Sequence, residues 1–447
     1  MEEHAEQYGL KKTLGFFPAL STVMGTVIGA GVFFKAAAVT TSTGTSSMAM
    51  FAWFLGGIIT ICAGLTAAEL AAAFPEAGGM TRYIERTYGH FWGFLAGWAQ
   101  AVIAFPANIA AIAIAFGTQF TNLFGLNAHL IVPIAMLMAL SLLLINWISA
   151  RAGGWVTSVA LVVKLIPLAL IVLLGFFHSG GVDFSLFPVV AGAHLGFWTA
   201  LGNGLLATMF AYDGWMHVGN IAGEMKNPKK DLPRAIALGI GLVMVVYLLV
   251  NAVFLFVEPV SRVAGNLNVA ADVAKIIFGG VGGKFITIGI LVSVYGGLNG
   301  YIMTGMRIPY VMGVEHKLPF GNAFASLNRA GVPWFAGLAQ YAIAFLMMLS
   351  GAFDAITNML VFVVWIFYCM SFAAVMILRR RQPELLRPYK VPLYPWIPLV
   401  ALIGGVFILV NTVFTQFTTT AIGIVVTLLG IPFYYYLNKK WHFTKAE

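Results

Sequence analysis

The sequence predicts an all-α polytopic membrane protein with twelve transmembrane helices, on three observations. The 447 residues are 60% hydrophobic and only 9% charged, against roughly 25% charged in a soluble domain. Apolar stretches of about 20 residues, enough to cross the hydrocarbon core as a helix, recur along the whole chain. The cations, finally, sort to one side of those stretches.

Hydropathy places the spans at 14–41, 48–73, 91–118, 129–149, 153–177, 195–222, 234–257, 282–312, 332–350, 353–378, 396–415 and 419–437. Turn-forming segments such as "PEAGG" (75–79) and "NPKKDLP" (227–233) separate them. Aromatics near span ends, including Trp92, Trp334 and Trp396, suit an interfacial belt. With the N-terminus inside, all 25 lysines and arginines except Lys35, Arg262, Lys275, Lys284 and the intramembrane Lys164 fall on the cytoplasmic side. The positive-inside rule then puts both termini in the cytoplasm of an inner, or plasma, membrane. The +9 net charge is thus mostly a topology signal, and no nucleic-acid partner is expected. The first residues are polar and the first apolar run is too long for a signal-peptide core, so no cleavable signal is expected. Cys62 and Cys369 both fall inside spans, where a small buried hydrophobe is the default.

The informative elements are the interrupted spans. "MGTVIGAGVFF" (24–34) sets Gly25, Gly29 and Gly31 about 16–26 Å into span 1 at about 1.5 Å per residue, near mid-membrane. Helix packing is one reading, because "GTVIG" (25–29) is a G-x-x-x-G pattern. A broken helix is the other, since irregular backbone survives at that depth only around a site or cavity. Span 6 repeats the feature: "MFAYDGWMHVGN" (209–220) carries Tyr212, Asp213 and Gly214 at mid-depth. An aspartate there must face protein or water. Spans 1 and 6 open two sets of five, and because five is odd the second set is inverted. Paired breaks at matching positions of inverted halves point to a secondary transporter's central site. Half-helix N-termini suit a carboxylate and half-helix C-termini an ammonium, so an α-amino acid fits both.

Four motifs in order, "GTVIGAGVF" (25–33), "FPEAGGMTRYIERTYG" (74–89), "FAYDGW" (210–215) and "GEMKNPKKDLPRAI" (223–236), resemble the amino acid–polyamine–organocation superfamily. The similarity is to its L-amino-acid transporter (LAT) branch, above all to bacterial serine/threonine and alanine/serine/cysteine exchangers. The resemblance implies a LeuT-like fold: repeats at 14–177 and 195–378, peripheral spans at 396–437, and cytoplasmic tails at 1–13 and 438–447. It implies alternating-access, sodium-independent exchange of small neutral L-amino acids, with a proton-coupled symporter or antiporter, of larger neutral or other amino acids too, as the alternative. The substrate carboxylate would meet backbone at Thr26, Ile28, Gly29, Ala30 and Gly31. The amino group would meet Phe210, Ala211 and Asp213, although Asp213 can equally cap the broken half-helix.

Lys164, too deep in span 5 to snorkel, is a tether to unwound carbonyls, or, as the resemblance implies, a surrogate for a bound cation beside spans 1 and 8, or a proton carrier. Tyr247, mid-span, is either packing or, as the resemblance implies, a hydroxyl aimed at the substrate site. Ser293, Tyr295 and Asn299 share roughly one face of span 8 and either line the span 1/8 contact or glue helices together. Glu69, and Glu224 with Arg234, read as gate or loop ion pairs. "IPYVMGVEHK", after Arg307, lacks the family's usual second arginine, which leaves any gating role there open. Mammalian members of the resembled family join an ancillary glycoprotein through a cysteine between spans 3 and 4; the loop here, "TQFTNLFGLNAH" (118–129), has none, so no disulfide-linked ancillary subunit is expected. The eight histidines make no metal-ligand spacing and G-x-G alone is a weak nucleotide signal. No enzyme, cofactor or metal is expected.

Overall fold

The structure is a computed structural model that describes residues 15–74, 78–148, 150–178, 182, 184–216 and 225–441. Every regular element of more than a single residue among them is helical. In chain order these are α1 (Phe16–Val27), α2 (Gly31–Thr43), α3 (Ser46–Ala73), α4 (Met80–Tyr88), α5 (His90–Ala99), a π turn (Gln100–Ala104), α6 (Phe105–Phe124), α7 (Ile131–Ile148) and α8 (Ala150–Gly175). Then come α9 (Phe197–Ala211), α10 (Pro228–Val257), α11 (Val260–Val263), α12 (Val269–Gly305), α13 (Arg307–Val314), α14 (Gly321–Phe324), α15 (Trp334–Met348), α16 (Phe353–Arg381), α17 (Trp396–Thr415), α18 (Phe417–Leu428) and α19 (Gly430–Trp441).

Among the described residues, eight helical segments are long and apolar enough to cross a membrane, and the bent pair α1 and α2 raises this to nine. The protein is a multi-pass membrane protein. The expected span at 282–312 belongs to a longer helix: α12 begins at Val269 and changes direction at Gly279, whose φ of 71° only glycine adopts readily. The expected span at 195–222 is helical only over Phe197–Ala211, and residues 217–222 lie outside the described set.

The broken pair sits at the centre. α1 packs on α10, α2 on α9, α3 on α10, and α12 on α8. Outward faces carry bare leucines, valines and phenylalanines, such as Leu242, Ile403, Phe414 and Val425. In water that exposure would be ruinous, and in lipid it is the ordinary exterior of a spanning bundle.

Candidate functional site

The chain leaves the α1 helix at Ile28, where ψ reaches 84°. Ala30 is back in the helical region, α2 starts at Gly31, and the axes meet at 43°. Such a break exposes backbone groups that need partners. On the α1 side the partners are side chains. The Lys164 ammonium, from α8, donates to the Gly25 carbonyl at 2.7 Å and the Ile28 carbonyl at 2.6 Å. The Val27 carbonyl accepts from the Gly29 amide at 2.8 Å and lies 2.7 Å from the Tyr247 hydroxyl of α10. A cation and a phenol thus cap the negative end of this half-helix. Across the gap, the first amides of α2 have no partner within their own helix, as at any helix start, and form its positive end.

The glycines divide their roles. A Cβ on Gly31 would lie 2.4 Å from the Cα of Ala211, so α2 and α9 touch backbone to backbone there. Gly214, at φ 109°, faces Thr26 less tightly, with a virtual Cβ 3.0 Å from that residue's backbone. Gly29 is different: nothing lies within 3.9 Å of its virtual Cβ. Helix packing therefore explains Gly31 and leaves Gly29 to the break itself.

α9 ends at Ala211, and Tyr212–Gly214 form a turn in place of further helix. The Thr26 hydroxyl lies 3.2 Å from the Gly214 carbonyl, which stitches the two breaks together. A second stitch is Tyr247, whose single proton is shared between the carbonyls of Val27 and, at 3.0 Å, Ala211. The Phe210 carbonyl accepts the Asp213 amide at 3.3 Å. Asp213 turns away from α1, and its Oδ1 accepts from the Tyr368 hydroxyl of α16 at 2.9 Å. Asp213 and Tyr368 line a cavity of about 10 Å³ with Gln100, Asn108 and Phe105, alongside the π turn. That volume holds about one water, so the core is closed around the breaks. Tyr247, Tyr212 and Trp53 form an aromatic cluster beneath them, and the Tyr212 hydroxyl donates to the Trp53 carbonyl at 3.1 Å. Sequence reasoning passed over Trp53 and Tyr368, whose only signal is an aromatic at mid-span.

The α12 candidates separate. Gly297 faces Gly29, its virtual Cβ 3.6 Å from the Gly29 Cα. Ser293, one turn earlier on that face, is fully buried and its hydroxyl has no partner among the described residues. Asn299 points to α7, where its Oδ1 accepts from Asn146 Nδ2 at 2.7 Å. Tyr295 also turns to α7, its hydroxyl 3.3 Å from Ser141 Oγ.

The amino acid permease family model matches residues 14–435, nearly the whole chain. The chain belongs to the amino acid permease family. It is 40% identical over 441 residues to the serine/threonine exchanger SteT of Bacillus subtilis (strain 168), covering 98% of this chain and 99% of that protein. It is 30% identical to the mouse (Mus musculus) Asc-type amino acid transporter 1, covering 96% of this chain and 82% of that one. It is 29% identical to the human (Homo sapiens) large neutral amino acids transporter small subunit 2, covering 95% and 80%.

Ion pairs sit at both ends of α16. At one end Arg379 of α16 grips Glu69 of α3 through two bonds, at 2.9 and 2.6 Å, and the Val391 amide donates to the same carboxylate at 2.7 Å. Nearby, α4 is tied to the segment after α13. Glu85 accepts from Lys317 at 2.8 Å, from Arg82 at 2.9 Å and pairs with His90 at 2.6 Å, while Arg82 also pairs with Glu315. Burial alone would raise the Glu85 pKa, but Lys317, His90 and Arg82 together outweigh it and hold it down at about 2. Of the expected Glu224–Arg234 pair, Glu224 lies outside the described residues. At the other end Lys35 of α2, fully buried, donates to Asp354 at 2.6 Å and Thr357 at 2.7 Å. Its ammonium lies over the rings of Phe353 and Phe210, at 4.8 and 5.5 Å.

Proposed function

We propose that this permease exchanges small neutral L-amino acids, of the alanine, serine, threonine and cysteine kind, by sodium-independent alternating access. The single observation that supports it best is the pair of facing breaks, where free amides at the start of α2 lie opposite the carbonyl ends of α1 and α9. An amino acid carries one charge for each. The printed functions of the relatives, serine/threonine exchange and Asc-type amino acid transport, favour small side chains.

In this reading the fold is LeuT-like, with twelve spans, repeats at 14–177 and 195–378, peripheral spans at 396–437 and both termini cytoplasmic. Ala30 and Gly31 supply the carboxylate end, with Thr26 beside them, and Ile28 and Gly29 join it once their amides leave the Met24 and Val27 carbonyls, to which they donate at 2.9 and 2.8 Å in the closed core. The carbonyls of Phe210 and Ala211 supply the ammonium end. Asp213, held by Tyr368, shapes the floor below. Lys164 acts as a built-in cation: one ammonium does for the Gly25 and Ile28 carbonyls what a bound ion would do, and dispenses with sodium. Tyr247 is the substrate-site hydroxyl. Of the α12 pair, Ser293 suits the contact with α1 and Asn299 suits helix glue. The Lys35 and Glu69 pairs are the opposite gates. No disulfide-linked subunit belongs to this scheme.

The test is counterflow. Purified protein in liposomes preloaded with alanine or serine is expected to take up labelled alanine, while empty liposomes do not. Equal uptake into empty liposomes under a pH gradient would reject exchange in favour of proton coupling.

A further inference from the structure

One cavity lies away from the core, where α10 begins its apolar run. It measures about 360 Å³ and is lined by Leu65 of α3, Lys230, Pro233 and Arg234 of α10, and Pro388 and Tyr389 of the segment after α16. Its lining holds two cations and no carboxylate. The Tyr389 hydroxyl is buried and has no hydrogen-bond partner among the described residues. Burial, with the Glu69 charge adding to it, pushes that phenol up to about 12, so it keeps its proton and remains a donor lacking an acceptor.

The surface running away from the pocket decides the kind of anion. From Arg234 the exposed residues of α10 continue as Leu238, Leu242, Val245 and Leu249, at steps of four, four, three and four. That spacing keeps them on one helix face, and between 37% and 54% of each is exposed. In a spanning helix this stripe meets acyl chains. A free anion needs the cations alone, whereas a phospholipid needs a cationic pocket at the interface with an apolar track leading from it.

We propose that this pocket binds the headgroup phosphate of an anionic phospholipid, with Lys230 and Arg234 on the phosphate, the Tyr389 hydroxyl donating to it, and an acyl chain along Leu238, Leu242 and Val245. The bound lipid bridges α10 to the segment after α16, and α10 is the helix that carries Tyr247 to both breaks.

The experiment is native mass spectrometry of the purified full chain, titrated with phosphatidylglycerol or phosphatidylcholine. Phosphatidylglycerol is expected to be retained in preference to phosphatidylcholine, and excess inorganic phosphate is expected not to displace it. Lys230→Gln and Arg234→Gln are each expected to weaken retention about fivefold, the effect of one basic residue at an anionic surface. Tyr389→Phe leaves every charge in place and is expected to weaken it by a similar factor, as loss of one hydrogen bond does. The control Lys439→Gln/Lys440→Gln, on α19, is expected to change nothing. Three results would overturn the proposal: an equal loss in that control, which means general surface charge; displacement by phosphate, which means a free-anion site; or undiminished retention in Tyr389→Phe. Thermal melts of each variant separate lipid loss from misfolding.

Discussion

Gly29 and Gly31 sit two residues apart, and alanine should affect them in opposite directions. At Gly31 the new Cβ would lie 2.4 Å from the Ala211 Cα and 2.8 Å from its Cβ. Carbon atoms settle at about 3.5–4.0 Å, so α2 and α9 must part by roughly 1 Å. The obstacle is backbone, so no rotamer change relieves it, and overpacking of this kind costs about 1–3 kcal/mol. A shift of that size between two halves of a binding site also costs about 10²-fold in rate. At Gly29 the nearest atom is 3.9 Å away and φ is not in the left-handed region. Gly29→Ala should therefore restrict the unfolded chain without straining the native one, a gain of about 0.4–1 kcal/mol. The assays are thermal melting in detergent and counterflow in liposomes. Gly31→Ala is expected to melt earlier and to lose transport. Gly29→Ala is expected to melt at or above the wild-type temperature, and any transport it loses reports on use of the break by substrate. If Gly29→Ala melts as early as Gly31→Ala, the division of roles between the two glycines is wrong.

Four further predictions follow from named contacts. Lys164→Ala strips the Gly25 and Ile28 carbonyls of their donor, at about 1–3 kcal/mol for each buried group left unmade; transport should fall sharply and sodium should not restore it, while wild-type rates would sink the built-in cation. Tyr247→Phe is expected to lower stability by about 1–3 kcal/mol and to raise uptake into empty liposomes relative to counterflow, and a tight exchanger in that variant would refute the role given to the phenol. Asp354→Asn should destabilise more than Lys35→Met, although Asp354 is the more exposed partner at 53%, because it strands a fully buried ammonium at a cost of up to about 3–5 kcal/mol; melts in the reverse order contradict this. The Glu85 carboxylate is held at about 2 against an ordinary 4.5, so its contribution is complete above pH 4.5 and is lost as pH falls toward 2. Lys317→Gln should bring that acid loss of stability to higher pH, read from melting temperature against pH, and an unchanged profile would show that Arg82 and His90 suffice.

How far the sequence carried depends on whether a feature is local. Composition and the all-helical class depend on the chain's own residues, and both were legible. So was the glycine cluster, but which glycine packs and which one bends depends on where Ala211 and Gly297 arrive from, and no local pattern holds that. Lys164 was readable because a lysine at that depth needs acceptors, and unwound carbonyls are what a broken helix offers. Lys35 was counted only as a topology charge. Its partner Asp354 is 319 residues away, and that pairing exists only once α2 and α16 are side by side. Ser293 and Asn299 show a plainer limit. Six residues turn a helix through about 600° at 3.6 residues per turn, so the two cannot share a face, and the structure sends Asn299 to Asn146 and leaves Ser293 on the Gly297 side.

An exchanger must refuse to reorient when empty, and the breaks supply a reason why it could. In the closed core the carbonyls that the two breaks free from helix bonding already have protein donors. Lys164 holds Gly25 and Ile28, and Tyr247 holds Val27 and Ala211. In the proposed alternating-access cycle, opening either side would separate helices that carry those groups, since Val27 belongs to α1, Ala211 to α9 and Tyr247 to α10. Without substrate the separated carbonyls would be left unmade in an apolar surround, at about 1–3 kcal/mol each, and that penalty raises the barrier to the empty crossing. On the proposed site, an amino acid would remove it by bringing its own donors to the α9 end and its own acceptor to the amides of α2. In that scheme the Tyr247 hydroxyl is the group that substrate would displace or join. Removing it would abolish the closed core's preference without touching the amides, so coupling should fail before binding does.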